Sequence, residues 1–178
     1  QWSGSQKVAV DRIRVVTNPV RQGKYAARYE VRSGDCSIRN PATGQCYGDR
    51  AEVQAGISNS GGSEGQDRTY QWSTMFDQSF PYSNSWSVVS QWHCNCDGPP
   101  PVSFNAQSGD KLQLQINRYN SPSSALGPAF PWSMQIKRGE WIDIKLRVKW
   151  SGSDSTGTIQ LWINGQPQTF SNGTTTYR

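Results

Sequence analysis

The chain has 178 residues, a length that suits one domain over 1–178 burying about 70% of the surface its unfolded form exposes. It holds no apolar run long enough for a membrane span and no basic-then-apolar leader, so a soluble protein with no membrane partner is expected, already mature if secreted. The net charge of +5 and pI near 9.2 come from singly scattered Lys and Arg with no basic run or nucleic-acid-binding signature, which argues against a nucleic-acid partner.

Period-two alternation recurs along the chain, and a sustained 3.6-residue period does not. Strands are expected over 7–17 and then 24–32, where Tyr25, Ala27, Tyr29 and Val31 share the face predicted to be buried. Next come 50–57, 69–76 and 86–93; in the last, Trp86, Val88 and Trp92 are assigned to the core and Val89, Gln91 and His93 to the opposite face. Further strands are expected over 102–107, over 111–117 with Leu112, Leu114 and Ile116 inward, and over 158–163. The longest alternation, "EWIDIKLRVKW", puts Ile142, Ile144, Leu146, Val148 and Trp150 on one face. Clusters of Gly, Pro, Ser and Asn, such as 58–65 and 120–131, read as the loops between them. About nine or ten strands with little helix predict an all-β fold, a two-sheet antiparallel β-sandwich of jelly-roll type without linker or internal repeat.

The four cysteines, Cys36, Cys46, Cys94 and Cys96, lack the C-x-x-C spacing of a zinc site, and one histidine cannot build a His-rich metal centre. No metal or cofactor is therefore assigned; a structural calcium held by loop oxygens would leave no clear spacing. Disulfides in an oxidising compartment fit better, and of three connectivities Cys36–Cys46 with Cys94–Cys96 is favoured, the latter requiring local strain. A secreted monomer is expected. Asn172-Gly173-Thr174 is a glycosylation sequon, relevant where the host glycosylates.

The faces opposite the core are rich in groups that hydrogen-bond sugars. "RAEVQA" offers Arg50, Glu52 and Gln54, and "SWSVVSQWH" offers Gln91 and the single histidine, His93. "VSFNAQ" offers Ser103, Asn105 and Gln107, and 111–117 offers Lys111, Gln113, Gln115 and Asn117. A carboxamide presents donor and acceptor in fixed geometry, so strands of this kind in one sheet would make a concave groove for hydroxyls and carboxylates. The positive charge and the eight Trp and seven Tyr point to an acidic polysaccharide as partner.

"NPVRQGKYAARYEVRSGD", "DRAEV", "WSTMF", "SWSVVSQWH", "PPVSFNAQSGDKLQLQIN" and "RGEWIDIKLRVKWS", with "GTIQLWINGQ" after them, follow one another in an order that resembles the heparin lyase I-like polysaccharide lyase family. The family includes glucuronan lyases, and the resemblance runs from about residue 15 to residue 170, R-A-E and Q-W-H being its most specific blocks. It implies a β-jelly-roll whose concave face binds a uronic-acid polysaccharide and cleaves it by β-elimination.

That chemistry needs the uronate carboxylate neutralised, the C5 proton removed and the departing O4 protonated. Stabilising the developing enolate is the largest demand, about 3–4 kcal/mol per well-placed donor. The resemblance implies His93 as neutraliser or base, since histidine's ordinary pKa near 6.5 leaves both forms accessible near neutrality. Gln91, Arg50 and Asn105 are candidate donors to the carboxylate, unless Arg50 simply pairs with Glu52. Glu52, Gln54, Asn105, Gln107, Gln113, Gln115 and Asn117 are candidate substrate contacts. The family pattern closes with a strand carrying Lys and Tyr four residues apart, the tyrosine acting as base and acid. Here Tyr177 and Arg178 end "NGTTTYR" with Gly173 in the lysine's place, and Tyr119, expected in a loop, is a fallback donor. The alternative function is a non-catalytic, lectin-like sandwich using the same groove. A hydrolase with paired carboxylates is disfavoured because the inferred groove offers only Glu52.

Overall fold

The computed structural model describes residues 2–56, 60–81, 86–94, 98–121 and 124–178. These form two compact units, Gln1–Gly61 and Gly62–Arg178, whose regular secondary structure is almost entirely antiparallel strand.

The first unit holds two two-stranded sheets. Strand β1 (Trp2–Gln6) pairs with β4 (Glu52–Ala55), and β2 (Ile13–Val16) with β3 (Ala26–Tyr29). The expected strand over 7–17 is shorter than its pattern, because Val10–Arg12 form a 3-10 turn. The expected burial over 24–32 is reversed: Tyr25, Tyr29 and Val31 are exposed, while Arg28 and Glu30 on the other face are half-buried. Ion pairs satisfy that charged face, so partial burial costs it little. A disulfide joins Cys36 to Cys46, with α-carbons 5.8 Å apart.

The second unit is a sandwich of two four-stranded sheets. One has the order β12–β11–β10–β5, from β5 (Asp67–Met75), β10 (Trp141–Lys149), β11 (Thr158–Ile163) and β12 (Gln166–Pro167). The other has the order β6–β7–β8–β9, from β6 (Ser87–Trp92), β7 (Val102–Gln107), β8 (Lys111–Ser121) and β9 (Ser124–Gln135). Ile142, Ile144, Leu146 and Val148 alternate into the core as their pattern predicts, against Phe104, Leu112, Leu114 and Trp132 of the facing sheet. Asn164 and Gly165, with φ of 50° and 79°, supply the left-handed pair that turns β11 tightly into β12.

Two expectations fail here for identifiable reasons. The region 120–131, read as a loop from its prolines, lies largely in β9, an edge strand whose register against β8 shifts three times. An edge strand has unpaired backbone positions where Pro128 and Pro131 remove no ladder bond. In β6 a bulge between Val88 and Ser90 breaks the alternation, so Val89 packs on the core while Trp86 and Val88 are exposed. Trp92 lies beyond the bulge and keeps its predicted place, 4.8 Å from the Tyr70 ring and 5.7 Å from Trp72.

Candidate functional site

Burial of Trp92 sets the direction of its neighbours. Trp92 pairs with Val102, whose side chain is in the core, so Gln91, opposite Ser103, points to the outer face of the β6–β9 sheet and is exposed. His93 follows at the strand end, exposed, with Nδ1 at 2.7 Å from the Cys94 carbonyl oxygen. A carbonyl only accepts, so Nδ1 carries the hydrogen. In the neutral ring this leaves the lone pair on Nε2, the arrangement a general base requires.

Register continues this outer face across the sheet. Gln91, Ser103 and Gln115 form one cross-strand row, and Val88, Asn105, Gln113 and Ser133 the next. Along the face the amides form a directed chain. Asn105 Nδ2 donates to Gln115 Oε1 at 2.8 Å and to Ser103 Oγ at 3.2 Å. Gln115 Nε2 donates to Asn117 Oδ1, and Asn117 Nδ2 donates to the Pro100 carbonyl at 2.6 Å.

This chain changes the expected picture of the face. Asn105 and Ser103 are each only 1% exposed and Asn117 6%, so Asn105 and Asn117 are not open substrate contacts as the alternation suggested. Their amides satisfy one another, which makes burial tolerable. Asn105 Oδ1 is the exception, buried without a hydrogen-bond partner among the described residues. Gln107, Gln113 and Gln115 are half-buried on the same face. The Pro100 carbonyl anchors the whole row, a role no motif marks.

The first unit carries Arg50, Glu52 and Gln54. Arg50 donates to Glu52 at 3.2 Å, to Gln6 Oε1 at 3.1 Å and to the Tyr47 carbonyl at 3.1 Å. The Arg50–Glu52 pair thus exists, held on β4 where Glu52 is opposite Gln6 of β1. Gln54, opposite Gly4, is exposed.

Tyr177 lies elsewhere in the second unit. Its backbone exchanges hydrogen bonds with Ile159 of β11, at 2.8 and 2.9 Å, and its ring packs on Phe170 and the core. Apolar contacts hold its ring, half-buried, against the core from the β11 side. It lines a cavity of about 310 Å³ together with Ile116, Val148, Trp150 and Arg178. Tyr119 is in β8, opposite Ala125, and not in a loop. Cys94 is disulfide-bonded, and Cys96, its expected partner, lies outside the described residues.

The polysaccharide lyase family model matches residues 1–177. No curated protein matches the chain in sequence. Among solved structures, an endo-β-1,4-glucuronan lyase from the fungus Trichoderma reesei is similar in fold, with a TM-score of 0.62 and 16% identity over 99% of this chain and 78% of that one.

Proposed function

The chain belongs to the polysaccharide lyase family, and from that premise we propose that it cleaves a uronic-acid polysaccharide of the glucuronan type by β-elimination, using the outer face of the β6–β9 sheet as its groove. The observation that carries the proposal is His93, whose Nδ1 contact to the Cys94 carbonyl leaves Nε2 as the unprotonated nitrogen of the neutral, exposed ring. In this reading Nε2 takes the C5 proton, the C4–O4 bond breaks as the C4–C5 double bond forms, and the imidazolium returns the proton to O4. H5 and O4 lie on the same side of a gluco-configured uronate, so one group can serve both transfers. Gln91, adjacent on the same face, supplies a donor to the uronate carboxylate. Gln107, Gln113 and Gln115 contact the sugar hydroxyls. Asn105 and Asn117 hold Gln115 in position from below. Arg50, oriented by Glu52, and Gln54 on the same strand as Glu52 are candidate sugar contacts of the first unit by itself. The Cys36–Cys46 disulfide supports secretion into an oxidising compartment.

The test is incubation with glucuronan, alginate, heparin and hyaluronan while ultraviolet absorbance of the unsaturated uronate is followed. A rise with at least one polymer is expected. Binding without a rise would replace the reading by non-catalytic carbohydrate binding.

A further inference from the structure

The positive charge of the chain is concentrated in one of its units. Nine of the eighteen Lys and Arg but only five of the thirteen Asp and Glu lie within Gln1–Gly61, so that unit carries four of the five net charges. The β2–β3 sheet gathers much of it on one face. Register places Arg14 directly opposite Arg28, and like charges directly opposed destabilise a strand pair. Glu30 is the carboxylate that offsets them, and it serves three guanidinium groups at once: Arg28, Arg32 and, at 3.9 Å, Arg14. Hydrogen bonds from Arg28 and Arg32 pull its carboxyl down to about 2, so it stays ionised at any ordinary pH. One negative charge among three positive ones leaves a local surplus. The three arginine side chains are 52%, 38% and 56% exposed for Arg14, Arg28 and Arg32, so that surplus faces solvent.

The cluster is also held in place. Asp35 accepts from Arg12 Nε at 2.6 Å and from the Arg32 backbone N–H at 2.8 Å, and it is almost wholly buried. The Glu30 N–H donates to the Arg12 carbonyl at 2.9 Å, tying the end of β3 to the start of β2. The guanidinium groups of Arg28 and Arg32 are held by their hydrogen bonds to Glu30, so they lose little freedom on meeting an anion, and their planar donors suit a carboxylate through two parallel bonds.

We propose that Arg14, Arg28 and Arg32, gathered round Glu30 on the N-terminal unit, bind successive carboxylates of an acidic polysaccharide and retain the polymer independently of the residues that cleave it. The identity of the ligand rests on the polyuronate reading given above. A polyuronate offers one carboxylate per sugar, which matches several cations on one short sheet better than a single small anion does. None of the three arginines belongs to the proposed chemistry, so they act on retention of long chains and not on the bond-breaking step.

The experiment is affinity electrophoresis of the full chain through gels containing glucuronan at low salt, in a His93→Ala background so that the polymer stays intact. Arg14→Gln, whose contact to Glu30 is the loosest, should weaken retention about two- to fivefold, the worth of one exposed ion pair. The triple variant Arg14→Gln, Arg28→Gln, Arg32→Gln should weaken it about tenfold and flatten its salt dependence. A neutral β-glucan should retain none of these proteins. Unchanged retention of both Arg14→Gln and a folded triple variant would overturn the proposal. Arginine-dependent retention by DNA without retention by glucuronan would overturn its assignment to a polyuronate. Should the triple variant fail to fold, Arg14→Gln alone decides. These outcomes are separate from the cleavage reading, which fails when the wild-type chain produces no unsaturated uronate from any polymer.

Discussion

His93 and Asn105 occupy the same sheet face with opposite requirements. His93 is exposed and its value lies in an available Nε2. His93→Ala should therefore lower unsaturated-product formation by at least about 100-fold, the usual worth of a positioned proton-transfer group, while leaving the thermal midpoint near that of the parent. Full activity in that variant would reduce the histidine to a surface residue. Asn105 is buried, and its Nδ2 supports Gln115 and Ser103. Asn105→Ala leaves Gln115 Oε1 without that donor, so urea denaturation should show a loss of about 1–3 kcal/mol. Neither role was separable in the alternation of "VSFNAQ" and "SVVSQWH", because period two assigns a face and not a depth.

At the scale of elements, the β10 alternation is the most legible feature of the sequence. Leu146 is fully buried between the two sheets, and Leu146→Ala should cost about 2–5 kcal/mol in urea denaturation. The turn between β7 and β8 is held differently. Arg138, in the β9–β10 connection, grips Asp110 through two hydrogen bonds of 2.8 and 2.7 Å and donates Nε to the Phe80 carbonyl at 2.7 Å. Hydrogen bonding to Arg138 holds the Asp110 carboxyl below its ordinary range, against the opposing effect of burial. The unfolded chain thus binds this proton more readily than the folded one. The stability Asp110 contributes is present in full above about pH 5 and fades as the pH falls from its ordinary pKa, about 4, through the lower folded value. Asp110→Asn should accordingly flatten the acid limb of a stability-against-pH curve, and an unchanged slope would show that the pair does not govern it. The β6 bulge and the prolines of β9 were illegible for one reason: both depend on which partner strand lies alongside and in what register, and neither leaves a local signature.

At the scale of the whole molecule, the two units depend on different sources of stability. The second has a continuous apolar core, whereas the buried apolar residues of the described chain include none from the first unit. A small unit without such a core relies on cross-links and ion pairs. Replacing Cys36 and Cys46 together by serine removes a link across ten residues of sequence. It should destabilise Gln1–Gly61 by about 2–3 kcal/mol. Hydrogen exchange should quicken there while the amides of Leu114 and Leu146 keep their protection. Equal loss of protection in both units would contradict this separation.

Residue order alone was enough to establish the all-β class, the inward faces of β8 and β10, the Cys36–Cys46 pairing as one of three possibilities and the family resemblance. These follow from period two, from spacing and from ordered motifs, which are properties of the chain itself. Tertiary structure decided that Tyr177 packs half-buried against the core, that Asn105 and Asn117 are buried supports, and that Arg14, Arg28 and Arg32 converge on Glu30. Each of those outcomes turns on which strands become neighbours. A side chain's burial, partners and surplus charge are set by residues far away in sequence, and only the folded chain brings them together.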